Sequence, residues 1–157
     1  MSDGRDRALA AVTAAGVAHR VIEHGPVSSL AEAAQARGVE PAAVVKTLVV
    51  RRGEGDFLFV LVPGDRTISW PKLRALLGVS RLSMPDAATA KEVTGYARGT
   101  ITPFGSVTAL PVVADERMVG HEITLGAGGH GVAVALEADD ALAALGATTA
   151  DISEPEA

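Results

Sequence analysis

The run Val44-Val45-Lys46-Thr47-Leu48-Val49-Val50, followed after Gly53-Glu54-Gly55-Asp56 by Phe57–Val62, constrains this chain more than any other stretch. β-Branched and aromatic side chains suit a pleated strand, and a short glycine-bearing turn folds one strand back on the next. The spacing predicts an antiparallel hairpin with strands over 44–51 and 57–62. A hairpin alone cannot bury its faces, so other segments must cover it. The 157 residues, 48% of them apolar, suffice for one core but not for two comfortable ones. One domain over residues 1–157 is expected.

The flanking segments supply helices and further strands. Leu9 and Val12, among alanines and ahead of Gly16, predict a first helix. Val17–Glu23 alternates as a strand. Ser29-Leu30-Ala31-Glu32 reads as a capping box opening a helix that stops near Gly38, and Pro41 suits a short helical turn. Pro63-Gly64-Asp65 is a turn, and Ser69 caps a helix running to about Leu77. A short strand is predicted around Ser80–Met84, then a helix from Pro85 to Gly95. Residues 95–106 form an irregular loop. Val107–Ala114, Glu122–Leu125 and Val132–Leu136 read as strands, the last two joined by Gly126-Ala127-Gly128-Gly129-His130-Gly131. A short helix near Asp140–Leu145, a strand over Thr148–Ile152 and a frayed terminus complete the chain. Helices and strands mix without a strict βαβ rhythm, which predicts α+β with a mixed, curled sheet.

Composition narrows the chemistry. With no cysteine there is no disulfide, thiol nucleophile or Cys-based metal site. One Trp, one Tyr and three Phe are too few for a base-stacking platform. No signal-peptide hydrophobic region is present and no apolar run reaches the ~20 residues that span a bilayer, so a cytoplasmic protein without a membrane partner is expected. The net charge of −5 argues against a broad grip on nucleic acid. The basic residues nevertheless concentrate in residues 46–98, nine against five acids. Either a local nucleic-acid contact or an ordinary solvated face accounts for that. There is no G-x-S-x-G elbow, Walker A loop or His-Glu-x-x-His helix. His19, His24, His121 and His130 lack metal spacing, although His121 and His130 could converge across the last hairpin; no metal or cofactor is expected.

Two features remain unexplained by packing. Lys46 shares a strand face with Val44, Leu48 and Val50, where an ammonium loses hydration unless anions or carbonyls replace the water. A pocket in which it meets a substrate oxygen or phosphate is one account; an edge position where the chain snorkels to water is the other. In Gly99-Thr100-Ile101-Thr102-Pro103-Phe104-Gly105, glycines permit unusual dihedrals and Pro103 stiffens the middle. Such a loop either aims backbone groups into a cavity or merely connects two elements.

Val-Val-Lys46-Thr-Leu-Val, Thr94-Gly95-Tyr96 with Gly99-x-x-x-Pro103-Phe-Gly105, and the later glycine-rich hairpin together resemble the YbaK/EbsC-type proteins. That family is related to the editing insertion domain of bacterial prolyl-tRNA synthetase. The likeness runs from about Ala8 to Ile152. It implies an α+β domain with a mixed, barrel-like sheet and flanking helices, acting as a trans-editing hydrolase on mischarged aminoacyl-tRNA. It also implies contact with the 3′-terminal adenosine of the tRNA acceptor end, and prolyl-tRNA synthetase as a partner. By the same resemblance Lys46, Gly99, Thr100 and Thr102 are the catalytic candidates. Thr47, Ile101, Pro103, Phe104, Gly128, His130 and His24 are the candidate substrate contacts. No enzyme nucleophile is needed in such a scheme, since a ribose hydroxyl and a positioned water carry much of the reaction; positioning and oxyanion stabilisation suffice for an activated ester.

The chain departs from the family pattern at two points. Members that remove cysteine commonly carry a Ser-Gly-Gly-Lys-type hairpin, where this chain has Gly126-Ala127-Gly128-Gly129-His130. Alanine-removing members tend to place Asn after the lysine, where this chain has Thr47. These departures leave open which amino acid is removed; the resemblance implies a small one, such as alanine, serine or cysteine, on tRNA-Pro or a related tRNA. The competing readings are a catalytically silent module that binds a tRNA end or a synthetase, and a hydrolase of small esters or amides.

Overall fold

A computed structural model describes residues 3–156. The expected hairpin is present as β2 (Lys46–Gly53) and β3 (Asp56–Val62), antiparallel, with Lys46 opposite Val62 and a register shift between Arg51 and Gly53. Strand β3 then pairs in parallel with β5 (Val112–Asp115), and β5 with β8 (Thr148–Ala150), giving a mixed sheet of order β2-β3-β5-β8. Leu58, Phe59, Val60, Leu61 and Val62 are all at most 1% exposed. Alternation explains this: Phe59 and Leu61 enter one core layer with Val45 and Val49, while Leu58, Val60 and Val62 enter a second with Val50. A strand covered on both faces reads as a continuous apolar run.

The second sheet, of order β1-β7-β6, is antiparallel and joins β1 (His19–Glu23), β7 (Val132–Glu137) and β6 (Glu122–Gly126). Its Ile123, Leu125, Val132, Val134 and Leu136 close the first core layer, with Val12 of α1 (Asp3–Ala14) and Leu142 of α5 (Ala138–Leu145). The second layer is covered by α3 (Trp70–Leu77) through Leu73, which is fully buried. A two-stranded pair, β4 (Arg66–Ile68) with β9 (Ser153–Pro155), returns the end of the chain to the start of that layer. The sheets do not close into a barrel among the described residues. The β2 and β6 edges meet at the parallel bridge Val44–Thr124, so the expected mixed α+β domain is present without full closure of its sheets.

Helix ends follow local chemistry. Ser29 caps α2 (Leu30–Arg37) by accepting from the Glu32 N–H, and Gly38 stops it in the left-handed region at φ 72°. The Glu32 carboxylate reaches back to the backbone N–H and hydroxyl of Ser28, one residue earlier than the expected box partner. Ser69 and Asp86 cap α3 and α4 (Ala87–Thr94) in the same way. Three strand expectations change. Ser80–Met84 makes only the bridge Ser83–Arg51, because Pro85 ends the pairing. Val107–Pro111 runs over the surface, with Val107 59% exposed, and pairing starts at Val112. The terminus is not frayed over 153–155, since Ser153–Pro155 is held by β4.

Candidate functional site

The β2–β6 junction and the loop after α4 enclose a cleft of about 640 Å³. On one wall stand Val45, Lys46, Thr47 and Val49; on the other, Gly99, Ile101 and Gly126, with Ala90, Arg98 and Arg37 at the margins. Two sequence-singled features thus meet across one space. A second cavity of about 770 Å³, lined among others by Gly38, Arg66, Arg117 and His121, contains neither the lysine nor the loop.

The loop is a pinned structure. Gly95, Gly99 and Gly105 adopt φ of 80°, 88° and 74°, which favours residues without a Cβ. Tyr96, 1% exposed, lies beneath the loop and its hydroxyl donates to the Phe104 carbonyl at 2.6 Å. Arg7 of α1 stacks on that ring at 4.5 Å and donates to the carbonyls of Gly105 (2.6 Å) and Gly95 (3.0 Å). Burial pushes the Tyr96 phenol above its usual pKa, against the pull of Arg7, so it remains a donor at neutral pH. Gly128 of the β6–β7 hairpin donates its N–H to the Thr100 carbonyl at 3.0 Å. None of these bonds uses a polar group of Gly99 or Ile101, the two loop residues on the cleft wall.

The other loop candidates turn inward. The Thr100 hydroxyl donates to the Ala97 carbonyl at 2.7 Å, and the Thr102 hydroxyl accepts from the Phe104 N–H at 3.4 Å. Pro103 is buried, and the Phe104 ring belongs to the first core layer. These four shape the loop without lining the cleft. Gly128 sits behind it, against Gly4 of α1. His130 is exposed at the hairpin tip with its Cε1 close to Gly99, and a Cβ on Gly99 would lie 3.9 Å from it. His24 packs at the other side of that tip, where its backbone N–H donates to the Gly131 carbonyl. Its Nδ1–H donates to the Gly25 carbonyl at 2.8 Å, and its buried Nε2 has no partner among the described residues. His121 and His130 occupy opposite ends of the β6–β7 hairpin and do not converge. No cluster of three or more His, Cys, Asp or Glu suited to a metal occurs among the described residues.

Lys46 opens β2, an edge strand of its sheet, and its side chain is 24% exposed. Its ammonium donates to the Arg66 carbonyl of β4 and lies 3.5 Å from the Glu156 carboxylate just beyond β9. Carbonyl and carboxylate together replace the hydration that the apolar strand face removes. Thr47, one residue on, points to the opposite face, and its buried hydroxyl has no hydrogen-bond partner among the described residues.

Arg37 is the residue that sequence reasoning passed over. It lies in the last turn of α2, where a basic side chain is unremarkable. The fold carries it across to β6, where Nη1 donates to the Thr124 hydroxyl at 3.0 Å. Burial lowers its pKa below that of a free arginine, although the guanidinium stays charged. Arg7 was missed for a similar reason: its carbonyl partners lie 87 to 98 residues away.

The cleft combines apolar side chains with the cations Lys46, Arg37 and Arg98, and the backbone groups of Gly99 and Ile101 make no hydrogen bond among the described residues; such a combination can hold a small polar group by fixed dipoles. This is the class of site that the fold defines. The aminoacyl-tRNA editing domain model matches residues 24–144, and the chain belongs to that family. The chain spans only about 15% of the length of the proline–tRNA ligases it matches. Among relatives, the proline–tRNA ligase of Trichlorobacter lovleyi is 36% identical over 87 residues, 55% of this chain but 15% of the ligase. A candidate Cys-tRNA(Pro)/Cys-tRNA(Cys) deacylase, EbsC of Enterococcus faecalis, is 26% identical over 124 residues, 78% of this chain and 76% of EbsC. The crystal structure of a candidate trans-editing enzyme for prolyl-tRNA synthetase superposes with a TM-score of 0.89 at 30% identity, over 98% of this chain and 99% of that one. No helix among the described residues is long and apolar enough to cross a membrane.

Proposed function

We propose that the cleft between Lys46 and Gly99–Ile101 receives the aminoacyl ester at the 3′-terminal adenosine of a mischarged tRNA, and that the acyl group is a small one: cysteine, alanine or serine. The observation that carries this reading is that the lysine strand and the glycine loop line one cleft. The likeness to EbsC and to the prolyl-tRNA ligases supports tRNA-Pro as the acceptor and prolyl-tRNA synthetase as the partner that releases it. The setting we infer is the cytoplasm, as one unit of residues 1–157.

Water adds to the ester carbonyl carbon, forming a tetrahedral oxyanion; the C–O bond to the ribose then breaks. The leaving ribose oxygen takes the proton that water gives up, and free amino acid and uncharged tRNA result. Lys46 contributes positive charge near the developing oxyanion, exchanging Glu156 for substrate. The backbone groups of Gly99 and Ile101 orient ester and water, and Thr100, Thr102, Pro103 and Phe104 act by holding that backbone. Thr47 borders the acyl position and His130 stands beside Gly99 at the cleft's rim, while Gly128 and His24 act from behind by holding the loop and the hairpin tip. Val45, Val49, Ala90 and Ile101 give the cleft an apolar lining. Apolar fit discriminates by only about 1–3 kcal/mol per methylene, so rejection of larger cognate residues must come from size exclusion.

The test is deacylation of a panel of mischarged tRNAs. Release of a small amino acid, fastest from tRNA-Pro, is expected. Saturable tRNA binding that leaves every acyl group in place would support the silent-module reading instead.

A further inference from the structure

Arg37 is a half-buried cation with one neutral partner. Among the described residues no carboxylate lies within ion-pair distance of it, whereas Lys46, Arg5, Arg20, Arg52, Lys72 and Arg117 all have one. Its Nε is buried and donates to nothing among the described residues. A guanidinium in that condition loses water on both counts and is stabilised by an arriving anion. The position is fixed from beneath. Thr124, which accepts from Arg37 Nη1, donates its hydroxyl to the Ala43 carbonyl at 3.1 Å, and its own carbonyl accepts from the Val45 N–H at 3.0 Å. Arg37 is therefore tied to the point where β2 leaves β6, at the margin of the cleft that holds Lys46 and Gly99. Asp86, the acid among the cleft's described lining residues, is occupied as the cap of α4 by the Thr89 N–H at 2.8 Å. A helix-terminal arginine serving only the α2 dipole would need neither the reach to β6 nor a dry Nε.

We infer that Arg37 is the anion-binding residue of the editing cleft, taking the phosphodiester on the 5′ side of the terminal adenosine and so setting the aminoacyl ester between Lys46 and Gly99. Planar guanidinium N–H donors match phosphate oxygens; Nη2, which has no partner among the described residues and is not closed off as Nε is, is the donor that meets the phosphate, while the dry Nε leaves the charge short of compensation until the anion arrives. This rests on the proposed placement of the terminal adenosine. It adds a positioning residue outside both motifs, one that acts on where the substrate lies and not on the bond that breaks.

The experiment titrates wild type, Arg37→Leu and Arg37→Lys with adenosine and with adenosine 5′-monophosphate by calorimetry. It then measures kcat and KM on a mischarged tRNA and on two short esters, 3′-aminoacyl-adenosine with and without the 5′-phosphate. Wild type is expected to bind the monophosphate at least about tenfold more tightly than adenosine, the size of a charge-assisted hydrogen bond. Arg37→Leu should erase that preference, and Arg37→Lys should keep part of it. In kinetics Arg37→Leu should raise KM for the tRNA and the phosphorylated ester by about 10–100-fold, with kcat within about threefold and the unphosphorylated ester unaffected. An undiminished monophosphate preference in Arg37→Leu overturns the proposal, as does an equal loss on both short esters. If wild type hydrolyses none of these esters, the editing placement fails, and the binding titration alone still decides whether Arg37 holds the phosphate.

Discussion

Replacing Tyr96 with Phe removes one oxygen from beneath the glycine loop and nothing else. The ring stays in the core under Arg7, so packing is retained and the effect isolates the bond to the Phe104 carbonyl at 2.6 Å. That carbonyl lies in a buried segment, and losing its partner strands it away from water. The net value of a neutral hydrogen bond is about 0.5–1.5 kcal/mol, and an unsatisfied buried acceptor raises the cost to about 1–3 kcal/mol. At roughly 2–4 °C per kcal/mol for a chain of this size, Tyr96→Phe should lower Tm by about 2–12 °C. Urea titration should show a lower midpoint with an unchanged slope. Amide exchange should quicken between Thr94 and Gly105 more than in β3, because the loop would open before the core does. A Tm shift under about 1 °C, with exchange in the loop unaltered, would refute the argument that this hydroxyl pins it.

Other consequences follow from the same geometry. Gly99→Ala forces a Cβ into φ 88° and should cost about 1–2 kcal/mol, with a larger loss of deacylation; Gly25→Ala, in open space at ordinary φ, should change neither. Thermal melts and tRNA deacylation of the two variants check this. Asp115 is buried; its burial would raise its pKa, but the Ser153 hydroxyl, the N–H groups of Arg117 and Ile152, and the Arg117 guanidinium outweigh that and lower it. Asp151, bridged by Lys72 and Arg117, is lowered to about 2. Carboxylates depressed in the folded state stabilise above their unfolded pKa, and that contribution is lost as pH falls toward the folded value. The urea midpoint should therefore hold from pH 7 to about 5 and fall between roughly pH 4 and 2; Asp115→Asn should lower the plateau and flatten the fall. Glu156→Gln removes the carboxylate from Lys46 and, as an exposed pair, should shift stability by less than about 1 kcal/mol while lowering KM for tRNA. An unchanged or raised KM would show that Glu156 does not compete with substrate.

Much of this architecture is local and was legible as such. Ser29, Ser69, Gly38, Gly78 and Gly95 act through neighbours within a few residues, so caps and stops can be read from the chain alone. The β2–β3 hairpin is likewise fixed by pattern and turn. The β4–β9 pair could not be read, because Arg66–Ile68 and Ser153–Pro155 are short and lie 87 residues apart in sequence. The mixed, barrel-like sheet was legible, but how far it closes was not, because closure depends on how sheet edges meet, and here the Val44–Thr124 bridge joins them. At the site, Lys46 and the Gly99–Pro103 loop stood out because each breaks a local rule. Arg7 and Arg37 break none: a polar residue in a first helix and a base in a last turn are ordinary until the fold shows what they touch.

The central claim is tested most directly at Lys46. Single-turnover deacylation of mischarged tRNA-Pro should be compared between wild type and Lys46→Ala, with melting curves confirming that both are folded. The account predicts a loss of roughly 10²–10³-fold in the chemical step for Lys46→Ala, the scale of removing one oxyanion-stabilising group. Equal rates for the two proteins would contradict it.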